Sequence, residues 1–376
     1  MPDLNHVSAT AVTADPLTAE GVAESQVTQR RAEGGGCDAA FDDVFVRSFP
    51  ELRLDDPRGA WEGSEDQKGP YAFTRFDAPF PGALSTDGLG INNAGQVVGD
   101  YWSGDFDNAH GYLRGPGGDF TEIEVPPSLS GGPSAFQWPI GLNNDGVIVG
   151  RYRDAGVPNR HGDHCYVLKE GVFIPIDVPT DLGGFGPTFS TRCRGINESG
   201  QITGFYFDPA FHRHGFLLSG GVFTTFDFPG AVNTLPRKIN NSGQIVGSYL
   251  LANGLVHGFL LARGNITSID VPGARETDAT DINNAGEIVG AYRDTKNHVH
   301  AFLLAGGVFM TVRLPGVTQN ANGPVLFDLN DYAEITGIND WGAITGIYLG
   351  RDGNFHGFIG VPRHEGGDDG GDKGGD

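Results

Sequence analysis

Between residues 70 and 361 apolar and polar positions alternate with a period of two, in short runs such as Gln244-Ile245-Val246-Gly247-Ser248-Tyr249 and Val222-Phe223-Thr224-Thr225-Phe226. Asn-Gly and Gly-Gly pairs interrupt these runs, and nothing recurs at helical spacing. Side chains that alternate in this way, rich in Val, Ile, Thr, Phe and Tyr and bounded by turn residues, predict half-buried strands joined by tight turns.

The runs repeat. An Ile-Asn-Asn-x-Gly-type turn falls at Asn92–Gly95, Asn143–Gly146, Asn197–Gly200, Asn240–Gly243, Asn283–Gly286 and Asn339–Gly342. Each turn opens a strand that ends in a tyrosine: Tyr101, Tyr152, Tyr206, Tyr249, Tyr292 and Tyr348. A His-Gly-Phe-Leu-type strand then begins at His110, His164, His214, His257, His300 and His356. An Asp-x-Pro-type strand end carries Pro79, Pro126, Pro179, Pro229, Pro272 and Pro315. One repeat therefore reads as four strands A to D, the unit of a β-propeller blade. A proline closing strand D suits an outer edge, where the missing N–H faces water.

The order of the motifs predicts closure. The first Asp-x-Pro segment, Tyr71–Pro79, precedes the first strand A, and the last repeat stops after His356–Ile359 without a strand D. The N-terminal strand should complete the last blade and so remove an unpaired sheet edge. The expected fold is all-β: a six-bladed propeller over residues 69–361. It is flanked by a polar, mostly disordered segment (1–68, with one packed piece at Val44–Phe49) and a solvated acidic Gly-rich tail (362–376).

The pattern Ile239-Asn240-Asn241-Ser242-Gly243-Gln244-Ile245-Val246-Gly247-Ser248-Tyr249, followed by His-Gly-Phe-Leu-Leu and Phe-Asp-Phe-Pro-Gly-Ala, resembles the bacterial HAF-type extracellular repeat proteins. The naming triplet stands here as His300-Ala301-Phe302. The resemblance spans residues 70 to 361. It implies a propeller, secretion or a cell-surface location, and no activity common to the family. The first twenty residues lack the basic start and apolar core of a secretory signal.

Spacing predicts which face carries function. The motif histidine lies 15 or 16 residues before the strand-D proline, whereas the step from that proline to the next turn asparagine runs from 11 residues (Pro229 to Asn240) to 24 (Pro315 to Asn339). Variation thus gathers in the D–A and B–C connections, which emerge on one face, and rigid scaffolds carry binding residues on such loops.

Three sets of residues depart from the repeat on that face. Arg192, Arg194, Arg237 and Lys238 open two neighbouring inner strands and form a candidate clamp for carboxylate, sulfate or phosphate. Asp278, Asp281 and Asp87 face them across the channel mouth, and pairing of the cations with Asp208, Asp227 or Asp278 is the alternative. Trp102 and Trp138, with Phe106, Phe136, Phe207 and Phe211, are candidate platforms for sugar rings or roofs over apolar gaps. His161, His212 and His298 stand two or three residues before a motif histidine. A His-x-His pair on a strand places both rings on one side, where they suit a divalent metal ion. The six motif histidines themselves are expected to tie strands together within each blade.

Composition narrows the rest. A net charge of −22 disfavours nucleic acid as a partner. No apolar run reaches the roughly 18 residues of a membrane span. Three cysteines, Cys37, Cys165 and Cys193, are too few for a disulfide framework, so unpaired thiols are expected, with one bridge as the alternative. Nucleophile-elbow, phosphate-loop, dinucleotide and His-Glu-x-x-His motifs are absent. The resulting expectation is a monomeric ligand-binding propeller that recognises a glycan or polyanionic partner on the loop-rich face. The alternatives are a hydrolase or polysaccharide lyase at the channel mouth, metal-assisted or not, and a scaffold for a protein partner.

Overall fold

The computed structural model describes residues 70–104, 108–132, 136–155, 162–182, 191–314, 333–350 and 352–363. The expected N-terminal segment with its piece at Val44–Phe49, the acidic tail, Cys37, Phe106 and His161 lie outside these residues.

After β1 (Tyr71–Phe76), blade one comprises β2 (Ala83–Ile91), β3 (Val97–Ser103), β4 (Asn108–Arg114) and β5 (Phe120–Ile123). A one-turn helix, α1 (Pro127–Ser130), leads to blade two: β6 (Gln137–Leu142), β7 (Ile148–Arg153), β8 (Asp163–Lys169) and β9 (Val172–Ile176). Blade three is β10 (Thr191–Ile196), β11 (Ile202–Phe207), β12 (Arg213–Ser219) and β13 (Val222–Phe226). Blade four is β14 (Asn233–Ile239), β15 (Ile245–Leu250), β16 (Val256–Ala262) and β17 (Asn265–Ile269). Blade five is β18 (Glu276–Ile282), β19 (Ile288–Arg293), β20 (Val299–Ala305) and β21 (Val308–Val312). The last three strands are β22 (Ala333–Ile338), β23 (Ile344–Leu349) and β24 (Phe355–Pro362).

Six antiparallel four-stranded sheets result, and the sixth has the order β1-β24-β23-β22. Tyr71 pairs with Pro362 and Phe76 with Gly357, so the N-terminal strand is the outer strand of blade six, as the motif order predicts. Burial falls from the middle of each blade outward. Strands β11 and β15 are buried at every position, whereas the outer strands β9 and β17 are exposed or half-buried throughout. The aromatic residue of each strand C (Tyr112, Tyr166, Phe216, Phe259, Phe302 and Phe358) is fully buried. It packs between neighbouring blades, as where Phe358 shares a cluster with Val289 and Ala301.

Two features explain why the motif residues recur. Every strand A shifts register by one residue against strand B, for example between Gly88 and Gly90 and between Pro236 and Lys238. This bulge pushes a strand-A carbonyl against the glycine of the Ile-Val-Gly-type segment. A Cβ on Gly99, Gly204 or Gly346 would overlap the carbonyl oxygen of Asp87, Arg192 or Glu334 respectively. The motif tyrosine packs against the motif histidine in every blade, stacked in blades one, two, four and five and tilted in blades three and six. Four of those histidines also bond a strand-D aspartate through Nδ1: His164 to Asp177, His214 to Asp227, His257 to Asp270 and His356 to Asp77. These histidines are strand ties.

The turn asparagines close the ring a second time. Each first asparagine donates its side-chain amide to the main-chain carbonyl of its counterpart in the next blade. The bonds run from Asn92 through Asn143, Asn197, Asn240, Asn283 and Asn339 back to Asn92 at 3.0–3.3 Å. The residue after each asparagine adds a second circle. Its backbone N–H donates to the side chain of the equivalent residue one blade on (Asn93, Asn144, Glu198, Asn241, Asn284, Asp340) at 2.7–3.0 Å.

The cysteine expectation is overturned. Cys165 on β8 and Cys193 on β10 form a disulfide between blades two and three, with Cα atoms 5.4 Å apart. Both are fully buried. They are distant in sequence, and only the packing of adjacent blades brings them together. Among the described residues no helix is long and apolar enough to cross a membrane.

Candidate functional site

The inner strands β2, β6, β10, β14, β18 and β22 wall a central channel, and their register sets three levels along it. Asp87, Trp138, Arg192, Leu235, Asp278 and Glu334 share the level nearest the loop-rich face, as their strand-B partners show. The bulge residues, which include Arg194 and Arg237, form the second. Gly90, Gly141, Gly195, Lys238, Asp281 and Gly337 form the third, just before the asparagine turns.

The predicted basic cluster is divided among these levels. Arg192 is almost fully buried and bonds Asp163 at 2.9 Å. Asp163 also holds Arg151 at 2.7 Å and Arg153 at 2.8 Å, and although burial opposes its charge, these three guanidinium groups hold its carboxyl below the usual range. Arg192 therefore belongs to a structural ion cluster between blades two and three. Arg194 and Arg237 do reach the channel, and Arg237 pairs with Asp278 at 3.0 Å. Glu334 enters the same neighbourhood from blade six. Burial pushes its carboxyl up to about 7, against the pull of Arg237 and Arg194 and with the repulsion of Asp278 and Asp87. The wall at this level is charge-compensated rather than basic.

Lys238 and Asp281 sit deeper. Lys238 Nζ donates to the carbonyls of Ile140 (2.6 Å) and Leu89 (3.2 Å), reaching across the channel to blades two and one. Burial pushes the ammonium down to about 8, although Asp281 pulls it the other way. Asp281 accepts the backbone N–H groups of Ile282 (2.7 Å) and Ile338 (2.9 Å), and burial pushes it up to about 6. Lys238, Asp281 and the turn asparagines line a cavity of about 70 Å3 on the tight-turn side.

Trp102 and Trp138 are not stacking platforms. They are 0% and 3% exposed and pack with Ala109 and Ile140, because the loop aromatics fold inward beneath the crossovers. Phe207 is buried as well, Phe136 stacks on Trp138, and Phe211 is exposed. An exposed aromatic side chain that the sequence reading missed is on the opposite face. Trp341 is 72% exposed, and its Nε1 donates to the carbonyl of Asn93 at 3.1 Å, which fixes the indole beside the cavity-lining residues Asn93 and Asp340. The signal was available: the equivalent turn positions are Ala94, Asp145, Ser199, Ser242 and Ala285.

Of the predicted metal ligands, His212 is exposed and bonds Asp208 at 3.3 Å. His298 bonds Asp294 at 3.3 Å, in a different blade. The two do not share a site.

No family model matches the chain, and no curated protein matches it. Solved structures similar to it include a putative TolB from Agrobacterium tumefaciens (13% identity, TM-score 0.44, covering 74% of this chain and 91% of that one). The fucose-specific lectin from Aleuria aurantia is another (12% identity, TM-score 0.47, 76% and 100% covered). A third is the β-propeller domain of the Trilobed protease from Pyrococcus furiosus (11% identity, TM-score 0.44, 76% and 85% covered). This chain is a six-bladed β-propeller. That conclusion rests on its own strand pairing.

Proposed function

We propose that this propeller is an exported, non-catalytic binding protein whose ligand is a glycan, held on the tight-turn face around Trp341. The exposed, hydrogen-bonded indole carries the reading. A flat aromatic face fixed beside a polar cavity suits the apolar face of a sugar ring. The amide and carboxylate rim at Asn93, Asn284 and Asp340 offers donors and acceptors side by side, which match hydroxyl groups that both donate and accept. Charge compensation around Arg194 and Arg237 favours such a neutral ligand over a polyanion. The buried disulfide supports export, because such bonds persist in oxidising compartments, and the HAF-type repeat pattern points the same way.

A glycan array followed by titration of tryptophan fluorescence tests this. Saturable binding that quenches Trp341 and weakens about tenfold or more in Trp341→Ala is expected. Binding that is absent, or unchanged in that variant, sinks the proposal.

One observation favours a second reading. Glu334, raised to about 7 and so still partly protonated near neutrality beside Asp278 and Asp87, has the makings of a general acid paired with carboxylates. Release of new reducing ends from a bound glycan would choose the hydrolase over the binding protein.

A further inference from the structure

The six repeats act as one another's controls, and blade five departs from the others at strand D. In blades two, three and six the motif histidine has a carboxylate on each ring nitrogen. His164 lies between Asp177 and Asp154, His214 between Asp227 and Asp208, and His356 between Asp77 and Asp352. Hydrogen bonds to two carboxylates occupy both ring nitrogens, so neither is free to ligate a metal.

Blade five departs from this at the Nδ1 end of the histidine. Its strand-D position, aspartate or glutamate in the other repeats (Asp77, Glu124, Asp177, Asp227 and Asp270), is Arg313. Among the described residues Nδ1 of His300 accordingly meets no carboxylate, and Nε2 lies 3.2 Å from Asp294 Oδ2. The same oxygen lies 3.3 Å from Nδ1 of His298. Among the described residues these three form the one group of metal-ligating side chains whose donor atoms all lie within 4.8 Å of one another.

The loop that carries them is braced. Asp294 Oδ1 accepts the backbone N–H groups of Lys296 (2.8 Å) and His298 (2.9 Å), leaving Oδ2 toward the two rings. Arg293 donates to the carbonyl of Asn297 at 3.0 Å, and Arg275 donates to its side chain at 2.9 Å. Asn297 itself adopts φ 68°, a left-handed turn conformation that asparagine tolerates. Asp208-x-x-x-His212-x-His214 in blade three has the same spacing. There His214 is held by Asp227, and the three donor sets do not converge in the same way.

We propose that Asp294, His298 and His300 form a site for a divalent transition-metal ion of the zinc class on the loop face of blade five. Two imidazole nitrogens and one carboxylate oxygen are a donor set suited to such ions, and three protein ligands leave coordination positions for water or a partner group. All three side chains are part-exposed (31% for His298, 29% for Asp294, 15% for His300), so those positions are reachable from solvent. The site keeps His298 and the motif histidine of its expected His-x-His pair and adds the loop aspartate Asp294; His212 lies in another blade and His161 outside the described residues. The inference is independent of the glycan reading, which concerns the opposite face.

The test is calorimetric titration of the chelator-treated full chain with Zn2+ alone, backed by the visible absorption of Co2+ as a spectroscopic stand-in. One ion per chain is expected. His298→Ala and His300→Ala should each weaken it by on the order of a hundredfold, while His212→Ala leaves it unchanged. Circular dichroism and melting of the exposed-site variant His298→Ala check that the fold is retained. Zn2+ binding weaker than about 0.1 mM, one ion retained in the His298→Ala/His300→Ala double variant, or an equal loss in His212→Ala overturns the proposal.

Discussion

Asn339 donates its side-chain amide to the main-chain carbonyl of Asn92, 3.0 Å away, across the seam between the last blade and the first. Residues 247 positions apart are thereby joined next to the channel, while β1 joins the same two ends at the rim. The ring is fastened at its inner and outer edges.

Asn339→Ala tests the inner fastening. The side chain also accepts the backbone N–H groups of Trp341 (3.0 Å) and Ala343 (2.9 Å). Removing it leaves buried donors unpaired, at about 1–3 kcal/mol each for such groups. A loss of about 2–3 kcal/mol in denaturant unfolding is expected. A change below about 0.5 kcal/mol would mean that the Asn339–Asn92 contact adds little to closure, which then rests on β1 and on the bonds of Asp340 and Trp341 to Asn93.

Reducing the disulfide tests the link between blades two and three. Cys165 and Cys193 are separated by 28 residues. Closing a loop of that length in the unfolded chain is worth about 3.5 kcal/mol. Cys193→Ser should therefore melt well below the parent protein, and the parent should approach it when melted with dithiothreitol. Identical melting with and without reductant contradicts the bridge.

His164 sets a pH dependence. Burial disfavours its charged ring, but the hydrogen bonds and charges of Asp177 and Asp154 prevail and push it up to about 9. Because the folded value lies above the unfolded one near 6.5, the stability that it supplies is full below about pH 6.5 and is lost as pH rises toward 9. Glu334 acts with the same sign but at lower pH, from its ordinary 4.5 to about 7. Between pH 7 and 9 Lys238, depressed to about 8, titrates as well and with the opposite sign, because its folded value lies below the unfolded one. The histidine is therefore read as a difference: across that window denaturation midpoints should fall more steeply in the parent protein than in His164→Gln. Parallel slopes for the two proteins would remove His164 as the cause.

The repeat itself was legible without coordinates: strand periodicity, turn chemistry and motif order specified six blades and the pairing of Tyr71–Phe76 with the C-terminal strand. These are local patterns, and a blade is a local unit whose alternating side chains must be buried on both sides. Even the bulge left its mark, as a glycine in every strand B.

What the tertiary structure alone decided is how departures from the repeat meet. Cys165 and Cys193 look unremarkable along the chain, yet adjacent blades put their Cα atoms 5.4 Å apart. Two pairs of basic residues at matching places in adjacent blades were divided among three levels of the channel, because a one-residue bulge reorients each strand A partway along. Trp102 and Trp138 turned inward, while Trp341 stayed outside on a turn too short to bury it. Sequence spacing reports distance along a strand, whereas the direction of a side chain and its neighbour in the next blade follow from closure of the ring.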